Sequence, residues 1–527
     1  MIKTELRVAL DYTKSDIIDA LVAALPVSRE EIRDVEILRK ALKLDGESAE
    51  YSLTVGASFS EERELGLLKM KKKVKPCRDL KLEIPESRLD MSPVVVGAGP
   101  AGLFAALILA EAGACPIVLE RGLPVEQRQR DVSRFFTAGE LSEESNVQFG
   151  EGGAGAFSDG KLKVGSIDKY KKKILTDLIS AGAPEEIAYL VGAHLGTDKL
   201  PLIVSALRRK IISLGGSFIF SARLSDIDIK DGRAVGISYL KGTETFYQPS
   251  EHIILATGHS AIDVFELLYS KGVPMQPRGF GIGMRIEHPR EYINQLIYKD
   301  SSVADKAGTA SYHLVTHLKS GRSVYSFCMC PGGVVVPAAS ERGGIVTNGM
   351  SEFSRMADNS NSALLVSVTP EDFGSASPLA GIYFQRKIER AAYSLTDSFR
   401  APTVSLSALL ENREQDSSFA VKPSYAVGTV SAKPESYLPT YIPDSLRQGI
   451  LDFDEWLPGF AMGDALLTGP ETRSTSPVRV LRDDSFSTPT VKGLYPIGEG
   501  AGYSGGIVSS AYDGVRCAEA ILLKAQG

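Results

Sequence analysis

The chain has 527 residues, 43% hydrophobic and 24% charged, an ordinary globular composition with room for about three domains. Its formal net charge of -6 argues against nucleic acid as the main partner, because phosphate backbones demand concentrated Lys and Arg. No stretch approaches the roughly twenty apolar residues of a membrane span, and the polar start MIKTELRVALDYTKSD lacks the apolar core of a signal peptide, so the expected location is the cytoplasm.

Residues 1–90 are expected to form a small N-terminal α/β domain and linker. The pattern predicts a strand over Ile2–Leu10, helices over Ser15–Leu25 and Arg29–Lys43, and a strand over Glu50–Ser58. IIDALVAAL and IRDVEILRKAL carry helical periodicity, whereas AEYSLTVGASF alternates with period two. Nothing here suggests catalysis, which leaves packing or recognition of a protein partner as its expected role. The basic run Lys69–Lys75 reads as a solvated face, and Pro76–Pro93, with three prolines, reads as the linker.

The next segment, PVVVGAGPAGLFAALILAEAGACPIVLERG, writes out a dinucleotide-binding unit. Val94–Val96 is an apolar run fit for a buried parallel strand, and Gly97, Gly99 and Gly102 supply the G-x-G-x-x-G spacing. The first glycine permits the tight turn, the second lets backbone approach a pyrophosphate, and the third allows helix and strand to touch. Ala101–Ala112 is expected as a helix whose positive N-terminus faces the phosphates. A second strand, Pro116–Leu119, ends in Glu120, where a carboxylate can accept hydrogen bonds from both ribose hydroxyls. Strand, glycines, helix, strand and acid in that order point to an adenine dinucleotide.

Beyond Glu120 the pattern is not a repeated βαβ array. NVQFGEGGAGAFSDGK places five glycines between Gly150 and Gly160, which leaves backbone free to approach a flat ligand. Leu200–Leu214 is expected as an amphipathic helix. Gly216–Ile229, Arg233–Lys241 and Thr245–Gln248 read as a small sheet, and Ile253–Ala256 as a strand ending in Thr257-Gly258. From residue 272 to 482 the pattern shifts to mixed strands, long loops and polar helices, Ile382–Arg400 among them, and is expected to be an inserted substrate domain. Residues 483–527 return to the earlier style, with a short strand in GLYPIGEG and an Ala- and Gly-rich helix over Gly505–Leu523. That helix offers a second positive end for the far side of a long cofactor.

The G-x-G-x-x-G unit with Glu120, the ATG at Ala256–Gly258 and the terminal LYPIGEGAGYSGGI resemble the flavoprotein superfamily of glutathione reductase and the aromatic hydroxylases. FGEGGAGAFSDGKL, SFCMCPGG, SERGGIVTNGMSEFSR and GPETRSTSPVR are similar, at a finer level, to the bacterial family of FAD-dependent or NAD(FAD)-utilizing dehydrogenases. The resemblance implies a Rossmann-like FAD-binding domain in two parts, 91–271 and 483–527, with an inserted mixed α+β domain over 272–482. It implies FAD, with its pyrophosphate at Gly97, Gly99 and Gly102 and its adenosine ribose at Glu120, near Arg121. Thr257 and Gly258 would lie at the crossover, and the flavin would lie near Gly152, Gly153, Gly498, Gly505, Gly506 and Ile507. Many relatives carry Gly-Asp where this chain has Gly498-Glu499, so the acid keeps its charge with one more methylene. Only one G-x-G-x-x-G unit is present, so any NAD(P)H would visit the flavin cleft transiently.

Flavin performs the redox chemistry itself, and the protein need only bind, orient and supply protons. Arg285, Glu287 and His288 offer a cation, an acid and an imidazole within four residues, with an ordinary salt bridge as the plainer alternative. Glu471, Arg473, Arg479 and Arg482 precede the terminal segment, and Arg473 is the first choice for clamping a substrate carboxylate or phosphate. Cys328 and Cys330, two apart, should face one side of a strand, either as a redox pair or as buried apolar residues. With Cys77, Cys115 and Cys517 they form neither a disulfide framework nor a zinc pattern, and the histidines show no metal-ligand grouping. The leading expectation is an FAD-dependent oxidoreductase acting on a small organic substrate in a cleft between the FAD and inserted domains. The alternatives are a flavin monooxygenase and a non-catalytic flavin-bearing sensor that recruits a partner through residues 1–90.

Overall fold

Val94–Val96 is buried because it lies in the middle of a five-stranded sheet covered on both faces. The sheet order is Leu494–Pro496, Ile253–Leu255, Val94–Val96, Ile117–Leu119 and Ser217–Ile219, and every neighbouring pair is parallel. In this computed structural model, residues 1–45, 48–70, 73–78, 80–414 and 418–526 are described. Lys71 and Lys72 of the basic run lie outside them.

One face of the sheet is covered by the helix Pro100–Glu111, whose residues Ala101 to Ala110 are all buried, as an apolar helix requires. The terminal helix Ile507–Lys524 packs against it so closely that a Cβ on Gly514 would sit 2.1 Å from the Ala101 carbonyl oxygen. The first and last parts of the chain are locked together there. The other face is covered by a meander of Arg223–Lys230, Arg233–Lys241 and Glu244–Pro249, through Leu224, Ile227 and Ile237 against Val94, Val96 and Leu119. The expected strand Gly216–Ile229 is therefore two strands. Ser217–Ile219 belongs to the parallel sheet, Arg223–Lys230 opens the meander, and Ser221 at φ 53° turns the chain between them.

The inserted region leaves and rejoins through a two-stranded ribbon, Met275–Pro277 against Val478–Val480. Its core is a seven-stranded sheet ordered Val315–His317, Ser323–Cys330, Asn359–Val368, Phe280–Pro289, Leu466–Glu471, Ala401–Ser405 and Thr429–Ser431. All pairs are antiparallel except the last. The helix expected over Ile382–Arg400 runs Ala380–Tyr393 and is followed by Asp397 at φ 48°.

The N-terminal region is a four-stranded antiparallel sheet, Asp34–Asp45, Ser48–Ser58, Ile2–Val8 and Lys75–Pro76, with the helix Lys14–Ala24 packed on it. The expected helix Arg29–Lys43 is a correction: only Arg29–Glu31 is helical, and Asp34–Asp45 is a strand. A bulge at Leu38 explains the misreading, because it puts Val35, Ile37, Lys40 and Leu42 opposite the buried Ala57, Val55, Leu53 and Tyr51. Spacings of two, three and two mimic a helical repeat. The strand also joins the rest of the molecule, with Lys40 N donating to the Tyr189 carbonyl at 2.7 Å and Val191 N donating to the Lys40 carbonyl at 2.8 Å. No helix among the described residues is long and apolar enough to cross a membrane.

Candidate functional site

Val96, Leu119, Ala256 and Ile497 end or follow strands of the parallel sheet, and all four line a cavity of about 2460 Å3 over its carboxyl edge. Open α/β sheets hold ligands in this crevice. The volume exceeds the about 300–1,000 Å3 of a single small-molecule pocket.

The glycines shape one wall. Gly97 sits at φ 105°, and a Cβ on it would lie 2.4 Å from the Ala256 carbonyl oxygen; a Cβ on Gly102 would lie 1.9 Å from the Gly97 carbonyl oxygen. Gly99 is the N-cap of Pro100–Glu111 and Gly506 that of Ile507–Lys524, and neither helix start has a side-chain cap. Both N-termini open into the cavity, where their first amides are free for an anionic ligand.

Glu120 is buried at 5% exposure and faces the same space. Its Oε2 accepts from Ala98 N at 2.8 Å, and its Oε1 accepts from Gly122 N and Gly150 N, each at 2.9 Å. Three of roughly four acceptor positions on the carboxylate are taken, leaving one for a ribose hydroxyl rather than the expected two. Arg121 lies flat on Phe149, 4.0 Å from the ring centroid, held by Glu144 at 2.7 Å and Asp263 at 3.0 Å. Glu120→Gln replaces an acceptor by a donor facing backbone N–H, and should weaken dinucleotide retention by about 1–3 kcal/mol, read by titration of the apoprotein with FAD.

The loop carrying Gly152 and Gly153 is held by a residue that sequence reasoning missed. Arg128 is fully buried, and its guanidinium donates to five loop carbonyls: Asn146 at 2.8 Å, Val147 at 2.9 Å, Gly150 at 3.1 Å, Glu151 at 2.7 Å and Gly153 at 2.9 Å. Burial pulls it down to about 10, so it stays charged at neutral pH. Gly152 N donates to the Ala98 carbonyl at 2.8 Å, which fastens the loop beside the glycine turn.

The opposite wall comes from the return segment. Thr257, Gly258, Gly498, Glu499, Gly505, Gly506 and Ile507 all line the cavity. Asp513, also unforeseen, accepts from Gly498 N at 2.7 Å while Arg482 grips both its oxygens at 2.6 and 2.8 Å. The aspartate that holds the turn thus comes from the terminal helix, and Glu499 is left facing the cavity. Burial raises the Glu499 carboxyl from 4.5 to about 7, with Arg278 opposing. Between those values the folded protein keeps a proton that the unfolded chain has released, so this group makes the fold less stable as pH rises from about 4.5 to about 7. Glu151, likewise raised to about 7 by burial, acts in the same direction. The thermal midpoint of apoprotein, followed against pH, should fall less steeply across that window in Glu499→Gln than in the wild type.

The three candidate catalytic residues fare differently. His288 is wholly buried in the core of the inserted region, between Tyr292 and Phe460, with Nε2 donating to the Phe460 carbonyl at 2.9 Å. It does not line the cavity, and burial pulls it down to about 4, so it holds no proton to give at neutral pH. Arg285 is also fully buried, just behind the wall; it pairs with Glu471 at 2.7 Å and donates to Asn361 Oδ1 at 2.8 Å and to the Cys328 carbonyl at 3.1 Å. Arg473 lines the cavity, but its fork is filled by the protein's own carboxylate: Nε and Nη2 reach Glu389 at 2.9 and 2.8 Å, and Nη1 reaches Ser340 at 2.5 Å. The expected clamp on a substrate carboxylate is spent on Glu389.

Cys328 and Cys330 do not share a strand face. Cys328 sits at φ 41° in a bulge, exposed on the cavity wall, while Cys330 is buried with its thiol donating to the Cys328 carbonyl at 3.3 Å. Burial pushes the two thiols up to about 11 and about 12, unlike the depressed values of redox-active cysteines. His259, set aside as structural on sequence grounds, lines the cavity with Nδ1 3.0 Å from Ser260 Oγ. Its position directly after Thr257-Gly258 was the available signal.

A model described as "FAD-dependent protein, C-terminal domain-like" matches residues 279–474, the seven-stranded region. A Clostridium beijerinckii protein described as "Uncharacterized protein" is 43% identical over 509 residues, 95% of this chain and 94% of that one. Among solved structures, 3-ketosteroid-delta4-(5alpha)-dehydrogenase from Rhodococcus jostii is 14% identical with a TM-score of 0.36, covering 84% of this chain and 100% of that one. L-proline dehydrogenase from P. horikoshii is 12% identical with a TM-score of 0.36, covering 84% and 94%. Likenesses of that size say nothing about chemistry. The identity and coverage of the Clostridium beijerinckii protein are of another order, and the chain belongs to the same family as that protein, carrying over residues 279–474 a region of the FAD-dependent protein C-terminal domain kind.

Proposed function

We propose that the protein is an FAD-dependent oxidoreductase, with 91–271 and 483–527 forming the FAD unit and 272–482 covering the reacting end. One observation carries this reading: two uncapped helix N-termini, starting at Pro100 and Ile507, and the Glu120 carboxylate converge on one elongated cavity. An adenine dinucleotide needs positive ends for its diphosphate and an acceptor for its ribose. The glycine cradle fits that demand, since side chains at Gly97 and Gly102 would collide with backbone.

In this reading Glu120 and the Arg121–Phe149 stack hold the adenosine end. The amides after Gly99 and Gly506 hold the diphosphate, and Gly152, Gly153, Gly498 and Glu499 border the flavin end. FAD when bound supplies hydride or electron acceptance. The residues of this chain orient it, exclude water and offer a proton site at Glu499, whose carboxyl titrates near neutrality. A substrate would enter between Gly505–Ile507 and the inserted region at Cys328, Asn348 and Arg473, all on the cavity wall. Purified protein should be yellow, and an anaerobic screen of small metabolites and NAD(P)H should find a class that bleaches it. Colourless protein that refuses added FAD defeats the reading.

A further inference from the structure

The cavity extends well beyond the residues assigned to the dinucleotide, and the N-terminal domain walls its outer part. Lys3, Arg39, Lys75 and Arg78 line it from that domain, and Lys161 and Lys163 line it from the facing loop. Arg39, Lys75, Arg78 and Lys163 are exposed, and among the described residues the four cations of the N-terminal domain have no carboxylate within ion-pair distance. Lys161 donates to the Met329 carbonyl at 3.1 Å, beside Cys328.

The acids in this part do not cancel them. Of Glu36 and Asp168, the second spends its carboxylate capping Tyr170 N and Lys171 N at 3.0 and 2.9 Å. Deeper in, Asp159 is paired with Arg355 at 2.7 Å and Glu471 with Arg285 at 2.7 Å. A chain with a formal net charge of -6 has therefore gathered unpaired positive charge around one opening. Low-dielectric walls focus such a field and raise the local concentration of counter-charged molecules by about tenfold or more.

We propose that this cationic collar selects a negatively charged small organic molecule, and that Lys161 is the inner cation against which it docks. The N-terminal domain is then part of the binding chamber. The inference rests on the flavin reading only in calling that molecule a substrate.

Cys328, exposed on the cavity wall, reports on the chamber, and Cys115, exposed but not lining it, is the internal reference. Purified full-length protein is reacted with an anionic sulfonatoethyl and a cationic trimethylammonioethyl methanethiosulfonate, and labelling is followed at each cysteine by mass spectrometry. The anionic-over-cationic rate ratio at Cys328 should exceed that at Cys115 by about tenfold and should shrink at high salt. In the combined Lys3→Glu, Arg39→Glu, Lys75→Glu, Arg78→Glu variant it should fall to the Cys115 value, and Lys161→Gln should lower it with the collar intact. If the combined variant fails to fold, single reversals at the exposed Arg39, Lys75 and Arg78 give the same reading in smaller steps. Equal ratios at the two cysteines, a ratio unmoved by charge reversal, or a Cys328 unreactive to both reagents would each overturn the proposal. Colourless protein that keeps the tenfold preference would defeat the flavin reading alone.

Discussion

Arg128→Met is expected to give a protein that loses its dinucleotide and at least about 3 kcal/mol of stability, measured by denaturant unfolding of the apoprotein. The guanidinium is fully buried and donates to five carbonyls between Asn146 and Gly153. Methionine fills a similar volume without a donor, so it removes the hydrogen bonds while avoiding a large cavity. Five carbonyls would then face one another around an apolar side chain, and the loop must open to find water. Its opening frees Gly150 N from Glu120 and Gly152 N from Ala98, dismantling both ends of the glycine cradle. Lysine should rescue little, because a compact ammonium cannot span carbonyls arranged for a planar fork. A stable variant that still retains FAD would show that the loop holds itself.

Gly102→Val should have the second large effect, on ligand retention and folding together. Even a Cβ there would lie 1.9 Å from the Gly97 carbonyl oxygen and 3.2 Å from Val95 Cγ1, and the first of these is backbone that cannot swing aside. The helix Pro100–Glu111 would have to lift from the strand Val94–Val96, moving the N-terminus that is proposed to face the diphosphate. Overpacking in a tight core costs about 1–3 kcal/mol or more, and FAD affinity measured by titration should drop by at least an order of magnitude. Gly505→Ala is the control, because its Cβ would meet nothing within 4 Å. It should leave folding unchanged.

The parts legible in the sequence are those whose physics is local. Val94–Val96, the three glycines and the following apolar helix are read from thirty consecutive residues because strand, turn and helix contact each other along the chain. The Asp34–Asp45 strand was missed because a single bulge residue, Leu38, shifts its alternation into a helix-like spacing, and nothing before the fold reveals a bulge. Arg128, Asp513 and the Arg473–Glu389 pair were missed because their partners arrive from elsewhere. Asp513 reaches the Gly498 turn from the next helix, and Glu389 meets Arg473 across 84 positions. Arginines in the sequence look like offers to a ligand, but burial shows which of them the protein keeps for itself. Arg285 and Arg473 belong to that second group, and both pair with carboxylates at most 5% exposed.

The placement of a dinucleotide between Glu120 and the two helix N-termini is tested most directly by calorimetric titration of apoprotein with FAD and, separately, with FMN, which lacks the adenosine half. FAD should bind one per chain and at least an order of magnitude more tightly than FMN, with the margin collapsing in Glu120→Arg. Equal affinity for FAD and FMN, or an FAD affinity indifferent to Glu120→Arg, would contradict the account.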